Sequence, residues 1–262
     1  MIPLAKLTPE EASRIDGLLF DLDDTLLSHG RLEEAAYASL FAMKRAGLRL
    51  VAVTGRPSGW GEVLARQWPV DGVVTENGGI SAFREGNHVV RVDVCSPEER
   101  RSRRVRLGRI VESVRSVVPE VRLSDDVDAR VSDVTWDVGE RVKLPEDRVA
   151  LLVDEIRANG ARTTRSSVHV HASFDPHDKA SGVVAFLAHR FGEDAGRALS
   201  RYVYVGDSGN DAPCFSAFRV TVGVANVRTA LGRLPVPPRF VTSGERGTGF
   251  CELAHTLVAS RG

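Results

Sequence analysis

A short apolar segment that runs directly into acidic residues constrains this chain more than any other feature. The segment spans Gly17 to Phe20, and Asp21, Asp23 and Asp24 follow it at once. An uninterrupted apolar run of this length is typical of a strand that is buried on both faces of a parallel sheet. Because parallel strands present the polar groups at their carboxyl ends to one edge of the sheet, we predict that a functional site begins at Asp21.

The chain then alternates between helix and strand patterns. Residues 31–46 have apolar positions at helical spacing, and residues 48–53 form a second apolar run. The alternation continues to residue 75 and resumes after Lys179. This order predicts an α/β protein with a Rossmann-like, three-layer core, in which helices cover both faces of a parallel sheet.

Between these two parts the pattern changes to strict alternation of polar and apolar residues, which predicts half-buried strands. Two helical segments separate these strands and would cover their apolar face. We therefore predict an inserted α/β cap at residues 84–172, with the core domain formed by residues 1–83 and 173–262. The predicted strands of the insertion are residues 88–94, 129–138 and 163–174, and its helices are residues 97–118 and 145–159.

The charge balance excludes some classes of partner. Lysine and arginine number 35, as do aspartate and glutamate, so the chain lacks the basic excess that binding to a nucleic acid requires. The first eleven residues contain prolines and charges where a signal peptide is apolar, and no apolar run approaches membrane-spanning length. The three cysteines are far apart, which favours reduced thiols. We expect a cytoplasmic protein that binds neither nucleic acid nor membranes.

Four motifs, in this order along the chain, resemble those of the haloacid dehalogenase superfamily. Residues 20–25 (Phe-Asp-Leu-Asp-Asp-Thr) resemble the first motif and residues 53–56 (Val-Thr-Gly-Arg) the second. Residues 178–179 (Asp-Lys) and 206–211 (Gly-Asp-Ser-Gly-Asn-Asp) resemble the third and fourth. One such motif is weak, whereas four in order on the expected elements are specific. In many relatives a glycine directly follows the lysine of the third motif, but here it comes later, at Gly182.

The resemblance implies a phosphatase that is phosphorylated transiently. Asp21 would be the nucleophile that forms an aspartyl-phosphate. Asp23, two residues further along an extended segment, would point to the same side and act as acid and base. Thr54, helped by Gly55 and Arg56 of its loop, would bind the phosphoryl oxygens.

The resemblance also implies a magnesium site. Lys179 would neutralise the charge that develops on the phosphoryl group. The Asp21 carboxylate, the Asp23 carbonyl and Asp207 would bind Mg²⁺, and Asp211 would support them from outside the metal shell. Taken singly, the threonine of the second motif would equally cap a helix, and the lysine would equally be an exposed residue of a first helical turn.

The predicted strand at residues 163–174 has a basic face. Arg165, His169 and His171 are expected on the face opposite Val170. An arginine beside two histidines suits an anionic or hydroxyl-rich ligand, so we predict that these three residues bind substrate. Exposure of the same face to solvent is the alternative.

The place and size of the insertion resemble the large α/β cap of Cof-type hydrolases and of sucrose-phosphate and mannosyl-3-phosphoglycerate phosphatases. This implies a small phosphorylated metabolite as substrate, with a sugar or polyol phosphate as the leading expectation. A phosphosugar mutase of the same architecture is an alternative, since it would pass the phosphoryl group to a second hydroxyl. A phospho-accepting signalling module, such as a receiver domain, is a further alternative from a different class.

Overall fold

The computed structural model describes residues 1–261, which form one large sheet, one small sheet and the helices that cover them. The strands are β1 (Ile2–Pro3), β2 (Gly17–Phe20), β3 (Arg49–Val53), β4 (Gly72–Thr75), β5 (Ile80–Glu85), β6 (His88–Asp93), β7 (Arg122–Leu123), β8 (Asp133–Asp137), β9 (Arg162–Arg165), β10 (His169–Ser173), β11 (Tyr202–Gly206), β12 (Val220–Gly223) and β13 (Phe240–Val241). The helices are α1 (Pro9–Ser13), α2 (Glu34–Arg45), α3 (Ser58–Gln67), α4 (Pro97–Val117), α5 (Glu146–Ala158), α6 (Lys179–Phe191), α7 (Ala195–Arg201), α8 (Ala212–Ala217) and α9 (Arg246–Ala259).

The large sheet is parallel except at one edge. Its strand order is β1-β13-β12-β11-β2-β3-β4-β5-β6, and every neighbouring pair from β1 to β4 is parallel. The strands β5 and β6 form an antiparallel hairpin beside β4. Since β2 lies between β11 and β3, the residues that follow these three strands meet at the centre of one sheet edge.

Helices cover both faces of this sheet. Along β2, Leu18 and Phe20 point into the core beneath α2 and α9, whereas Leu19 points into the core beneath α6 and α8. All three side chains are fully buried, and burial of each contributes about 1.5–3 kcal/mol. The apolar run at residues 17–20 therefore has the two-sided burial that its composition predicts, and the three-layer α/β core is confirmed.

The small sheet and two helices form a second layered unit, which we call the lid (residues 97–173). Its strand order is β7-β8-β10-β9, with all pairs antiparallel. Helix α4 begins at Pro97, where the Ser96 hydroxyl accepts the N–H of Glu99. Helices α4 and α5 pack their apolar residues on one face of the sheet, around Trp136. The other face, which carries His171, turns towards the large sheet, where this side chain meets the loop after β3. The α/β character predicted for the insertion is confirmed.

Two of the strands predicted for the insertion differ in the structure. The predicted lid strand at residues 88–94 is β6, and it pairs with β5 in the large sheet because the chain reverses at Gly86, where φ is 57°. The predicted strand at residues 163–174 is two strands, β9 and β10, joined by a turn in which the Ser166 hydroxyl accepts the N–H groups of Val168 and His169. The division of the chain into residues 84–172 and the remainder stays a prediction.

Among residues 1–261, no helix has both the length and the apolar composition needed to cross a membrane.

Candidate active site

The centre of the candidate site lies at the carboxyl end of β2. The N–H of Asp21 donates to the carbonyl of Val205 at 3.0 Å, which extends the pairing of β2 with β11 by one residue. The Asp21 side chain is held at this strand end and is buried. The ammonium of Lys179, the first residue of α6, donates to Asp21 and to Asp211, at 2.7 Å in each case. One fully buried cation thus joins the ends of two neighbouring strands.

Asp211 holds the loop that follows β11. Its Oδ2 accepts the backbone N–H groups of Asp207 and Ser208, both at 2.9 Å. Its Oδ1 accepts the hydroxyl of Tyr204 in addition to the ammonium of Lys179. The two oxygens of the Asp211 carboxylate thus accept four hydrogen bonds from the protein itself. It therefore shapes the loop and orients the lysine, which is the supporting role that the resemblance implies.

Asp207 lies beside Asp21 and has weaker partners. One carboxylate oxygen accepts the Asn226 amide at 3.2 Å, and the other lies 3.4 Å from the hydroxyl of Thr25. One oxygen from each of Asp21, Asp207 and Asp211 lies within 4.8 Å of the others. Burial, with the neighbouring carboxylates, raises the pKa of Asp21 to about 7 and the pKa of Asp207 well above its usual range.

This donor set fits a divalent cation. Three buried carboxylates surround a single ammonium, so their charge is only partly neutralised by the protein. Carboxylate oxygens are the ligands that hard divalent cations prefer, and such a cation would remove the excess negative charge. Burial alone would lower the pKa of Lys179, but the Asp21 and Asp211 carboxylates raise it by more than burial lowers it. The net pKa is raised, so the side chain stays cationic.

The loop after β3 supplies the neighbouring strand end. The N–H of Thr54 donates to the carbonyl of Val74 at 2.8 Å, and its buried hydroxyl accepts the N–H of Arg56 at 3.1 Å. A side chain at Gly55 would come within 3.1 Å of the His171 ring. The glycine therefore lets the lid lie directly on this loop.

The start of α6 resolves the departure from the usual third motif. The Asp178 side chain accepts the N–H of Ser181, and the Ser181 hydroxyl accepts the N–H of Asp178, so the helix that carries Lys179 begins with a capping box. One residue later, a Cβ at Gly182 would lie 2.4 Å from the Cα of Gly78. The glycine allows the helix to touch the turn after β4, and the lysine keeps a regular helical backbone.

Asp23 lies on the side of the site that faces the lid. Its two carboxylate oxygens each accept an N–H of the Arg56 guanidinium at 2.8 Å. The same guanidinium donates to Glu140 of the lid at 2.9 Å and lies over the ring of Trp60. Arg56 is buried, so this bidentate pair is a strong one and links the core to the lid.

The lid brings two of its three predicted substrate-binding residues to the site. The Nε2 of His169 bonds to Glu140 at 2.9 Å, and the Nδ1 of His171 bonds to Asp133 at 2.8 Å. The Nε2 of His171 is buried without a partner. Arg165 pairs with Glu146 instead. The prediction that Arg165 shares the histidine face is wrong because β9 is a separate strand: Arg165 lies opposite Val170, which points into the apolar core of the lid.

A segment of the lid at residues 129–133 docks on the core beside the site. The buried carboxylate of Glu76 accepts the backbone N–H of Ser58 in the core at 2.8 Å and that of Val131 in the lid at 3.0 Å. Arg130, whose side chain has no exposed surface, donates to the carbonyl of Gly55 at 2.8 Å. The lid is therefore bonded to the phosphate loop predicted from the second motif.

The sequence prediction did not include several residues of this arrangement. Asn226 follows β12 closely, so the rule that polar residues gather at strand ends could have identified it. Glu140 and Arg130 lie in irregular segments of the lid, where no periodic pattern indicates a role. Glu76 begins a turn whose glycines indicate a tight reversal at the entry to the insertion, but its bonds to the lid are not predicted by that pattern. Their places depend on how the lid docks on the core.

A cavity of about 230 Å³ opens between the core and the lid next to Asp23. Its core side includes the turn after β2, and its lid side includes the loops after β8 and before β10. The lining residues are Asp23, Asp24, His29, Gly30, Arg56, Gly139, Glu140 and Val168.

Comparison with known proteins gives structural matches. No family model matches the chain, and no curated protein matches it in sequence. A protein of Thermoplasma acidophilum has a solved structure that matches with a TM-score of 0.70 at 20% identity, over 93% of this chain and 99% of its own. The sucrose-phosphatase of Synechocystis sp. PCC6803, solved with sucrose and phosphate, matches with a TM-score of 0.64 at 15% identity, over 92% of this chain and 98% of its own.

A third match is the sugar phosphatase BT4131 of HAD subclass IIB, with a TM-score of 0.58 at 19% identity, over 87% of this chain and 93% of its own. These likenesses extend over both the core and the lid. At such identities they show the fold, which confirms the structural side of the resemblance. The chain therefore has the capped α/β fold of the haloacid dehalogenase superfamily phosphatases.

Proposed function

We propose that this protein is a magnesium-dependent phosphatase that hydrolyses the phosphate monoester of a small metabolite through an aspartyl-phosphate. The observation that carries the proposal is the Lys179 ammonium, which is fully buried and bonded to both Asp21 and Asp211 beside the Asp207 carboxylate. Burial of this much charge is costly. Its placement at the carboxyl ends of β2 and β11 fits a site built to bind and transfer a charged group.

We assign each step of the reaction to a residue of the candidate site. An Asp21 oxygen attacks phosphorus, and the bond from phosphorus to the leaving oxygen breaks while Asp23 gives that oxygen a proton. Asp23 then takes a proton from a water molecule that attacks the aspartyl-phosphate, and the bond to Asp21 breaks to release inorganic phosphate. Lys179 and Thr54, with the N–H groups of its loop, stabilise the charge on the phosphoryl oxygens.

The metal would be held by Asp21 and Asp207, with the backbone carbonyl of Asp23 as a further ligand and Asp211 as support. When bound, Mg²⁺ draws charge from the phosphoryl oxygens and neutralises the carboxylates around it. Both oxygens of Asp23 are bonded to the Arg56 guanidinium, so this ion pair would rearrange when Asp23 transfers a proton.

A sugar or polyol phosphate is the substrate class that we propose. The lid covers the site with polar side chains, among them His169, and the cavity beside Asp23 is small and polar. Such a lining offers hydrogen-bond partners to hydroxyl groups. The sucrose-phosphatase and the sugar phosphatase that share this fold support the same class.

The test is release of inorganic phosphate from a panel of phosphorylated metabolites, with and without Mg²⁺. The Asp21→Asn variant should retain less than about a hundredth of the wild-type rate, because the amide cannot act as an anionic nucleophile. Asp16→Asn is the matched control, since Asp16 lies at the opposite end of β2 and pairs with Arg201. Thermal unfolding of both variants shows whether the fold is retained.

The same assay separates the alternatives. A mutase would convert one phosphate ester into its isomer without net phosphate release, and a signalling module would be phosphorylated without turnover. Activity of the Asp21→Asn variant near the wild-type rate would refute the proposed nucleophile. Absence of phosphate release from every ester, including a simple aryl phosphate, would refute the phosphatase itself.

A further inference from the structure

The cavity beside Asp23 is the place where the leaving group of the substrate must lie. This step rests on the proposed function, in which Asp23 gives its proton to the leaving oxygen. Asp23 lines the cavity, while Asp21 at the end of β2 and Lys179 at the start of α6 are buried and do not line it. The phosphoryl group would therefore be bound below, and the alcohol to which it is attached would extend into the cavity. The lining of the cavity then decides which alcohols are accepted.

This lining has an excess of negative charge. Its acidic residues are Asp23, Asp24 and Glu140, and its only arginine or lysine among the described lining residues is Arg56. The Arg56 guanidinium is already bonded to Asp23 and Glu140. Asp24 is paired with Arg246, which lies outside the cavity wall. Within the described lining, no arginine or lysine remains available for a second anionic group of the substrate.

Glu140 is the acidic residue that the lid contributes. Its Oε1 accepts the Arg56 guanidinium at 2.9 Å, and its Oε2 bonds to His169 at 2.9 Å. The hydrogen bond from His169, together with Arg56, lowers the pKa of Glu140 to about 2, so the carboxylate is ionised at every pH at which the protein would act. The side chain is 38% exposed and lines the cavity. A carboxylate in this position accepts hydrogen bonds from hydroxyl groups and repels anions.

The volume of the cavity sets a further limit. At about 230 Å³ it is smaller than the roughly 300–1,000 Å³ of sites that enclose drug-sized ligands. The turn at His29 and Gly30 closes one side, and Val168 of the lid closes another. A leaving group of about monosaccharide size fills this space.

We propose that Glu140 is a specificity-determining residue that accepts a hydroxyl of the leaving group and excludes leaving groups that carry a second anionic group. The substrate is then the phosphate monoester of an uncharged polyol or monosaccharide, and neither a bisphosphate nor a phosphorylated sugar acid. Arg56 contributes indirectly. Its guanidinium is occupied by ion pairs with Glu140 and Asp23, so it is not available to bind a second anionic group of the substrate.

Two pairs of compounds test this, since each pair differs by one carboxylate. The first is glucitol 6-phosphate with 6-phosphogluconate, and the second is glycerol 3-phosphate with 3-phosphoglycerate. For each compound, kcat/KM is measured, or the inhibition constant against an aryl phosphate if the compound is not turned over. For at least one pair, the wild-type protein should favour the compound without the carboxylate by about tenfold or more, which corresponds to about 1.4 kcal/mol.

The Glu140→Gln variant should lower this preference by about tenfold, because the amide still accepts a hydroxyl but no longer repels an anion. Glu120→Gln is the matched control: Glu120 is a lid glutamate that is also bonded to an arginine, Arg148, but lies away from this cavity. This control should keep the wild-type preference.

Three outcomes would overturn the inference. They are equal use of both members of each pair by the wild-type protein, an unchanged preference in Glu140→Gln, and failure of every polyol phosphate to be turned over or to inhibit. In each case, continued hydrolysis of the aryl phosphate would show that the proposed phosphatase function still holds. Loss of aryl phosphate hydrolysis in the wild-type protein would instead refute both.

Discussion

At the scale of single residues, the buried carboxylates at the sheet edge differ in how far the protein neutralises them. Asp211 has four donors on its two oxygens, whereas Asp207 has one amide at 3.2 Å and a hydroxyl at 3.4 Å. Two carboxylates of the same type, four residues apart, therefore differ in the number of donors that they accept. Asp211 orients its neighbours, and under the proposed function the free lone pairs of Asp207 would bind the cation.

This difference predicts the effect of Asp207→Asn. Because an amide oxygen is a weaker ligand for a hard cation than a carboxylate, the variant should need at least about tenfold more Mg²⁺ for half-maximal activity. The measurement is a magnesium titration of phosphate release, and Asp16→Asn again serves as the control. An unchanged magnesium titration in Asp207→Asn would remove this residue from the metal site.

The residues at strand ends could be identified from the sequence, and those in the lid could not. Asp21, Thr54 and Asp207 each follow an apolar run directly, and parallel pairing places the ends of such runs together whatever the rest of the fold does. Glu140 follows no such rule, because its position depends on how the loop after β8 lies over Arg56. The sequence pattern contains no information about that docking.

At the scale of secondary structure elements, alternation predicted strands at residues 88–94 and 163–174, but neither the sheet to which the first belongs nor the turn within the second. Residues 163–174 alternate throughout, although the chain reverses at Ser166 without a glycine or proline to indicate a turn. The reversal moves Arg165 to the apolar face of the sheet and leaves His169 and His171 on the polar face. Alternation of polar and apolar residues shows which side chains share a face of the sheet only as long as the strand is not interrupted by a turn.

The buried histidine on β10 gives the lid a dependence on pH. Burial lowers the pKa of His171 from its ordinary value of 6.5 to about 4, despite the bond to Asp133. Between these two pH values the unfolded chain binds a proton that the folded chain does not, so stability decreases as the pH falls. From pH 7 to pH 5 this loss should be on the order of 2 kcal/mol.

Replacement of this residue tests the effect. In His171→Gln the difference between the free energies of unfolding at pH 7 and pH 5 should be smaller than in the wild-type protein by about that amount. His88→Gln, on the exposed edge strand β6, is the control and should leave the difference unchanged. An equal pH dependence in all three proteins would show that His171 is not buried in its neutral form.

At the scale of the whole molecule, the lid is joined to the core by more than its two connecting segments. Arg100 at the start of α4 is bonded to Asp93 on one connection and to Asp175 on the other. Further into the lid, Arg130 bonds to the loop after β3, and Arg56 bonds to Glu140. These contacts hold the lid against the loop after β3 and, through Arg56, beside Asp23, so the geometry of this part of the site and the docking of the lid are coupled.

Glu76 provides the sharpest test of this coupling, because its buried carboxylate accepts N–H groups from both parts of the molecule. On the core side the donor is Ser58, and on the lid side the donors are the N–H groups of Val131, Ser132 and Asp133. In Glu76→Gln, the amide NH₂ would face these donors and leave some of them unsatisfied. The free energy of unfolding should decrease by about 1–3 kcal/mol.

The part of the chain in which hydrogen exchange becomes faster distinguishes a loss of lid docking from a general destabilisation of the fold. Hydrogen exchange should become faster at the amides of residues 131–133 in Glu76→Gln, while the amides of the central strands β2 and β11 exchange at the wild-type rate. Glu85→Gln, at the exposed end of β5, is the control and should change neither stability nor exchange. If exchange at residues 131–133 stayed at the wild-type rate, Glu76 would not hold the lid, and the docking would have to depend on the other contacts, among them those of Arg130 and Arg56.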